Sequence, residues 1–283
     1  MVKIGVIPRP IKIDRILISS DNNPLYIQFL PVVSLAWQKL IGIKPTLAYV
    51  SYDNENIDWA KEYCQDIVVY KFGPEIKRGS TATFCARLVV RTLFGNEICM
   101  VSDIDMIPLS KNIFVNLPSD FTRNKFLSIG YNVFKNGDGS PNDPAVRNSK
   151  LRKVPSCYTI ASSKVWKEII NPNNVSEKEI LKQYYNIKDY DSQEAIINSG
   201  YFCDESLMRA LLQRWNRDRS KVIGIDRNFS FDRLDRGNWN INTEKLYGGE
   251  YIDAHCPRPM SSYEESIKSL TKYLDIPYIV PKL

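Results

Sequence analysis

Four short apolar runs, at residues 13–20, 45–50, 67–70 and 97–101, alternate with stretches of helical periodicity over the first third of this chain. Runs of this length read as strands, the most continuous of them as strands covered on both faces. Between the first two, Leu25, Phe29, Val32, Val33, Ala36, Trp37 and Leu40 recur at helical spacing. Pro24 suits the first turn of that helix and Gly42 its stop. A short helix is expected over 57–65, and a longer one over 81–94 with Gly95 at its end. This strand–helix alternation builds a mostly parallel sheet with helices on both faces. The predicted fold class is therefore α/β and Rossmann-like, a single domain whose second half is mixed.

The fourth run does not fade into a loop. Ser102 follows it, then Asp103, Ile104 and Asp105. An extended chain alternates its side chains, so both carboxylates are expected on one side, with Ile104 turned into the protein. Neighbouring carboxylates repel unless something cationic lies between them. A hard divalent cation with oxygen ligands, Mn2+ or Mg2+, meets that need and brings a phosphate-bearing ligand with it. The same short pattern also caps turns and starts helices, so both readings stand on the residues alone.

Ligands of such sheets bind beyond the carboxyl ends of the strands. The turn Ser19, Ser20, Asp21 and Asn22, the strand end at Ser51, and the Asp pair all lie there. The first turn is neither a GxGxxG fingerprint nor a P-loop. Further on, 106–109 is expected to close the Asp strand. Strands are expected at 125–130, 156–161, 221–225 and 251–255. Helices are expected over 163–170, from a capping box of Ser176 and Glu179 to about 185, around Leu207, Leu211 and Leu212, and over 262–274. The polar stretches 135–152 and 227–242 read as loops.

Bulk properties narrow the classes. With 283 residues and 43% apolar residues the chain has material for one large core. A net charge of +6, scattered and without a Lys/Arg block, gives no expectation of a nucleic-acid partner. The six cysteines stand singly, without a CxxC pair, which argues against a zinc cluster and for a reducing compartment. No run approaches the ~20 apolar residues of a membrane span, and the first residues lack a signal-peptide core. A cytoplasmic protein without an integral membrane segment is expected.

The run Val101-Ser102-Asp103-Ile104-Asp105, set in this alternation, resembles the DxD-containing, metal-dependent glycosyltransferases of the GT-A fold. The resemblance covers most of the chain in architecture and few specific motifs. It implies that Asp103 and Asp105 hold Mn2+ or Mg2+ on the diphosphate of a nucleotide-sugar, commonly a UDP-sugar, with Asp103 also reaching the ribose. It implies donor contacts from Ser19, Ser20, Asp21, Asn22, Ser51, Arg87, Asp103, Ile104 and Arg258. His255, the single histidine, is implied as a third metal ligand. Its segment, 253–259, is shorter than the HxxGxxKP pattern of the retaining members. Arg87 and Arg91 stand one turn apart on the helix before the Asp strand, and Arg87 is the better placed for the donor. Asp204 and Glu205 resemble the acidic pair that opens a late helix, where one carboxylate takes the proton of the acceptor hydroxyl, with Asp191 as rival. Tyr131, Tyr158, Tyr201, Phe202 and Trp239 are available to stack on sugar rings.

On this reading residues 1–283 form one glycosyltransferase domain. About 13–109 bind the nucleotide-sugar, and about 110–283 bind a glycan or glycoprotein acceptor. Two alternatives remain open. One is a phosphatase-like hydrolase with Asp103 as nucleophile, although Ile107 stands where that class has Thr or Val. The other is a non-catalytic carbohydrate-binding domain on the same fold.

Overall fold

The computed structural model describes residues 10–53, 55–72, 80–130, 154–185, 203–217, 220–225 and 232–281. Its frame is a seven-stranded sheet in the order β3-β2-β1-β4-β7-β6-β8. The first strands are β1 (Arg15–Ser20), β2 (Thr46–Ser51), β3 (Asp66–Lys71) and β4 (Ile98–Val101). They run parallel to one another. The later strands are β6 (Phe126–Ile129), β7 (Thr159–Ser162) and β8 (Val222–Ile225). Only β7 is reversed, pairing antiparallel with both β4 and β6, while β6 and β8 are parallel. The α/β expectation holds, with a mostly parallel sheet and a mixed second half.

Side-chain alternation divides the central strands between two cores. Ile16 and Ile18 of β1, Leu47 and Tyr49 of β2, and Ile98 and Met100 of β4 face one core. Leu17, Ala48, Val50, Cys99 and Val101 face the other. The first core is covered by α1 (Pro24–Ile27), α2 (Leu30–Ile41) and the C-terminal α9 (Glu264–Leu274). The second lies under α3 (Ser80–Val90), α5 (Ser163–Ile170), α6 (Glu177–Tyr185) and α7 (Cys203–Trp215). Trp166 is fully buried there, edge-on to Phe126 at 5.2 Å, with the Arg91 guanidinium 4.6 Å from its ring. Among the described residues no helix is long and apolar enough to cross a membrane.

Several boundaries differ from the sequence reading. The run 24–41 is two helices, because Pro31 has no N–H to continue the ladder from α1, and α2 restarts with Val33 donating to the Phe29 carbonyl. Gly42 ends α2 at φ +78°, its N–H on the Gln38 carbonyl. The short helix at 57–65 is a 3-10 turn, Asp58–Glu62. Helix α3 ends at Val90, and Thr92 and Leu93 close the end by i→i−3 bonds to Val89 and Val90. In α6 the Ser176 hydroxyl accepts from the Glu179 amide at 3.3 Å, the cap expected there.

The largest correction concerns 106–109 and 227–242. Met106 does not prolong the Asp strand. It begins β5 (Met106–Pro108), which leaves the main sheet for a second one, ordered β5-β10-β9. Strand β9 (Asp232–Asp235) arises inside the stretch expected to be loop, and its last residue caps a 3-10 turn, Arg236–Asn238. Strand β10 (Tyr251–His255) runs between them, antiparallel to β5 and parallel to β9. The remaining short helices are α4 (Asn112–Val115) and α8 (Thr243–Tyr247).

Candidate active site

At the carboxyl end of β4 the backbone turns at once. The Met106 amide donates to the Asp103 carbonyl at 3.3 Å, so Asp103 to Met106 form a turn and not the extended strand end expected. The Ile104 side chain is buried in the first core, as alternation anticipated, so only its backbone is available to a donor. The turn throws both carboxylates toward the second sheet, and each meets positive charge.

Asp103 is ion-paired through Oδ1 with Arg87 of α3, whose other terminal nitrogen donates to the Ser156 hydroxyl at 3.2 Å. Burial alone would raise the Asp103 carboxyl, but Arg87, helped by His255, outweighs it and holds the group below the ordinary carboxylate range. Asp105 is the deeper of the two, 4% exposed. Three cationic or imidazole groups converge on its Oδ2: Arg236 Nη1 at 3.5 Å, His255 Nε2 at 3.8 Å and Arg258 Nε at 3.8 Å. Burial, with Asp103 adding to it, still pushes the Asp105 carboxyl above its ordinary value against His255 and Arg236. Arg258 lies over the Tyr26 ring at 4.3 Å, and burial lowers its guanidinium from the usual value. The site therefore combines two acids with a surrounding cation set, a balance that an anionic ligand can enter.

The second sheet makes this convergence. In its register Met106, next to Asp105, lies opposite His255, and His255 lies opposite Asp235. Asp235 Oδ2 faces His255 Nδ1 at 3.5 Å, while its Oδ1 accepts from the Gly237 amide at 2.9 Å. His255 and then the Gly237 amide, against some burial, hold the Asp235 carboxyl far below the ordinary range. One step back, the fully buried Asp253 takes a two-pronged bond from Arg233, at 2.6 and 2.7 Å, which fixes β9 to β10.

The strand-end turns of β1 and β2 are joined by a residue the sequence did not single out. Glu55 accepts from the Asn22 side-chain amide at 3.1 Å and from the Ser51 hydroxyl at 2.6 Å. Asp21 accepts from the Asn23 amide at 3.1 Å, and the Ser20 hydroxyl donates to the Asp21 carbonyl at 3.0 Å. Burial, with Glu55 and Asp21 nearby, pushes the Tyr49 phenol up to about 12. Ser19 is half-buried on β1. Among these turns Ser51 also lines a shallow cavity with Tyr52, Asp53, Lys71 and Phe72.

Other expected residues fall as follows. Asp204 and Glu205 lie in the first turn of α7, and the Glu205 carbonyl accepts from the Val154 amide at 3.3 Å. Residues 154–156 thus link the opening of α7 to Arg87 through Ser156. Asp191, Tyr131, Tyr201 and Phe202 lie outside the described residues. Arg91 packs in the core against Trp166. Tyr158 is likewise core, edge-on to Phe114 at 5.0 Å and to Trp37 at 6.3 Å. Sequence reasoning missed Arg236, Asp235, Ser156 and Glu55. The repeated Asp and Arg of 232–236 are the one signal that pointed to the first two.

The donors suit a hard divalent ion in type: two carboxylates and an imidazole. Their arrangement is held by ion pairs. Among the described residues no three His, Cys, Asp or Glu side chains gather closely enough to coordinate one ion. The 3.8 Å between His255 Nε2 and Asp105 Oδ2 exceeds the ~3 Å edge of an octahedron whose bonds are about 2.1 Å. An ion bridging them requires these side chains to leave their present ion-paired positions.

Neither the protein-family models nor the curated proteins contain a match to this chain. Among solved structures it is similar to the galactosyltransferase LgtC in complex with donor and acceptor sugar analogues, with 15% identity, a TM-score of 0.46, and 95% and 98% of the two chains covered. It is similar to the glycosyltransferase GlyE of Streptococcus pneumoniae TIGR4, with 11% identity, a TM-score of 0.49, and 95% of this chain against 66% of that one. A glycosyltransferase involved in glycosylation of the major capsid of PBCV-1 gives 11% identity and a TM-score of 0.44 over 90% and 99%. Likenesses at this level carry no residue's role over to this chain.

Proposed function

We propose that this protein is a glycosyltransferase that moves a sugar from a nucleotide-sugar, a UDP-sugar on our reading, to an acceptor hydroxyl on a glycan or glycoprotein. The observation that carries the reading is the hub at Asp105, a buried carboxylate beside Asp103 on which Arg236, His255 and Arg258 converge. It lies at the carboxyl end of a central parallel strand, where ligands of such sheets bind.

Sugar transfer leaves a diphosphate whose negative charge grows as the bond to the sugar breaks. Groups that favour that charge more in the transition state than in the ground state lower the barrier. Arg258 and Arg236 are the residues we assign to it, each able to turn from Asp105 to phosphate oxygens. Asp103, Asp105 and His255 would hold Mn2+ or Mg2+, which when bound supplies Lewis-acid stabilisation of the same charge. Arg87 keeps Asp103 ionised and ready for that role. Glu205 or Asp204, at the opening of α7, is the proposed acceptor base.

A panel of UDP-sugars, with and without Mn2+, tests the reading by thermal shift and by release of UDP. Ligand binding to the folded state raises the melting temperature. At least one donor is expected to do so in a metal-dependent way, and D105A is expected to abolish the metal-dependent part. No shift with any nucleotide-sugar would end this proposal.

A further inference from the structure

Arg258 differs from the other arginines around the acids. Arg87 donates to Asp103 and Ser156, Arg233 to both oxygens of Asp253, and Arg236 to Asp105 at 3.5 Å. Arg258 Nε lies 3.8 Å from Asp105 Oδ2, an ion pair beyond hydrogen-bond reach, and among the described residues its guanidinium makes no hydrogen bond. It lies instead over the ring of Tyr26, 4.3 Å from the centroid. Tyr26 belongs to α1, which opens directly from the turn after β1. There Asn23 Oδ1 accepts from the Leu25 amide at 3.0 Å, and the Tyr26 amide donates to the Asn23 carbonyl at 3.0 Å. The Tyr26 ring packs on the first core, whereas Arg258 follows β10 of the second sheet. The contact ties the parallel half of the molecule to the second sheet at the candidate site.

We propose that Tyr26 is a positioning residue whose ring holds the Arg258 guanidinium at the site with its N–H donors unspent, so that a diphosphate meets a fork already in place. A ring face attracts a cation without taking its hydrogens, so stacking and donation to phosphate do not compete. An ion pair at 3.8 Å supplies attraction but no such orientation, and a long side chain held by it alone keeps much of its rotamer freedom. The Arg258 side chain is 19% exposed, so water screens the ring contact only in part. Ordering the guanidinium before the ligand arrives spares the ligand that cost and raises affinity. The inference rests on the proposed donor for the identity of the ligand, though not for the contact.

A double-mutant cycle read by calorimetric titration with UDP tests this. Y26L keeps an apolar body on the first core and removes the ring face. It is expected to bind UDP about 3- to 30-fold more weakly than the wild type. Y26F restores the ring and should restore the affinity. In an R258Q background Y26L is expected to cause no further loss, because the group it acts through is gone. The Nε–H signal of Arg258 in 1H–15N spectra, assigned by its loss in R258Q, reports the contact without any ligand. The ring is expected to shield it in the wild type and in Y26F, and not in Y26L. Unchanged UDP affinity in Y26L overturns the proposal, as does a loss that persists in the R258Q background, which would mark a merely structural role. If the wild type binds no UDP, the donor reading falls by itself. An Arg258 signal that moves in Y26L then still upholds the hold of Tyr26 on Arg258, and one that stays in place overturns it.

Discussion

Arg87 serves two partners at once, since one terminal nitrogen pairs with Asp103 and the other donates to Ser156. Its side chain is 3% exposed, so the guanidinium depends on these partners and not on water. Removing it leaves a half-buried carboxylate without its strongest neighbour. R87M keeps the volume and loses the charge, and is expected to cost about 2–3 kcal/mol, read as a lower urea midpoint with an unchanged slope. R87K is expected to cost less but to fail as a substitute, because an ammonium cannot present the fork that reaches both Asp103 and Ser156. At this scale the Asp pair was legible because an apolar strand stopping in two acids is locally unusual. Arg236 was not, because nothing in a polar stretch marks which arginine will turn inward. Its partner, Asp105, is 131 positions away.

The parallel strands and long helices were readable for the reason that makes them stable, namely a period of two or of 3.6 matched to a buried face. Strand β9 escaped detection, and β5 was read as the end of the Asp strand and not as part of a second sheet, on physical grounds. At three and four residues they are too short to show a period, and β9 offers one buried apolar side chain, Leu234, between charged neighbours. Their pairing comes from β10 and from the Arg233–Asp253 bond, both remote in sequence. The break between α1 and α2 was in principle visible, since Pro31 is inside the apolar repeat; the repeat outweighed it because it continues in phase on both sides. Gly42 offers a clean test of a helix end. An added Cβ there meets nothing within 4 Å, so only the backbone conformation at φ +78° is at stake. G42A is expected to destabilise by about 1 kcal/mol, measured by chemical denaturation, without altering ligand binding.

Two cores on opposite faces of one sheet make the molecule a three-layer body, and the central strands are covered from both sides. Cys99 of β4 and Cys64 beside the 3-10 turn lie in different cores, and burial pushes both thiols up to about 12. Both thiols therefore stay protonated and enclosed at pH 8. Iodoacetamide should leave them unmodified in the native protein and alkylate them in denaturant, as peptide mass spectrometry would show. Labelling of Cys99 under native conditions is expected to follow global unfolding, and that of Cys64 to follow it or precede it through local opening.

The placement of Arg236 also bears on how the chain is made. During translation Asp105 emerges 131 residues ahead of Arg236, and Arg258 emerges later still. Through that interval Asp103 has Arg87, already synthesised, while Asp105 has none of its three later neighbours. The parallel half of the sheet is synthesised early, and the charge balance around Asp105 is completed last, when the second sheet's later strands dock.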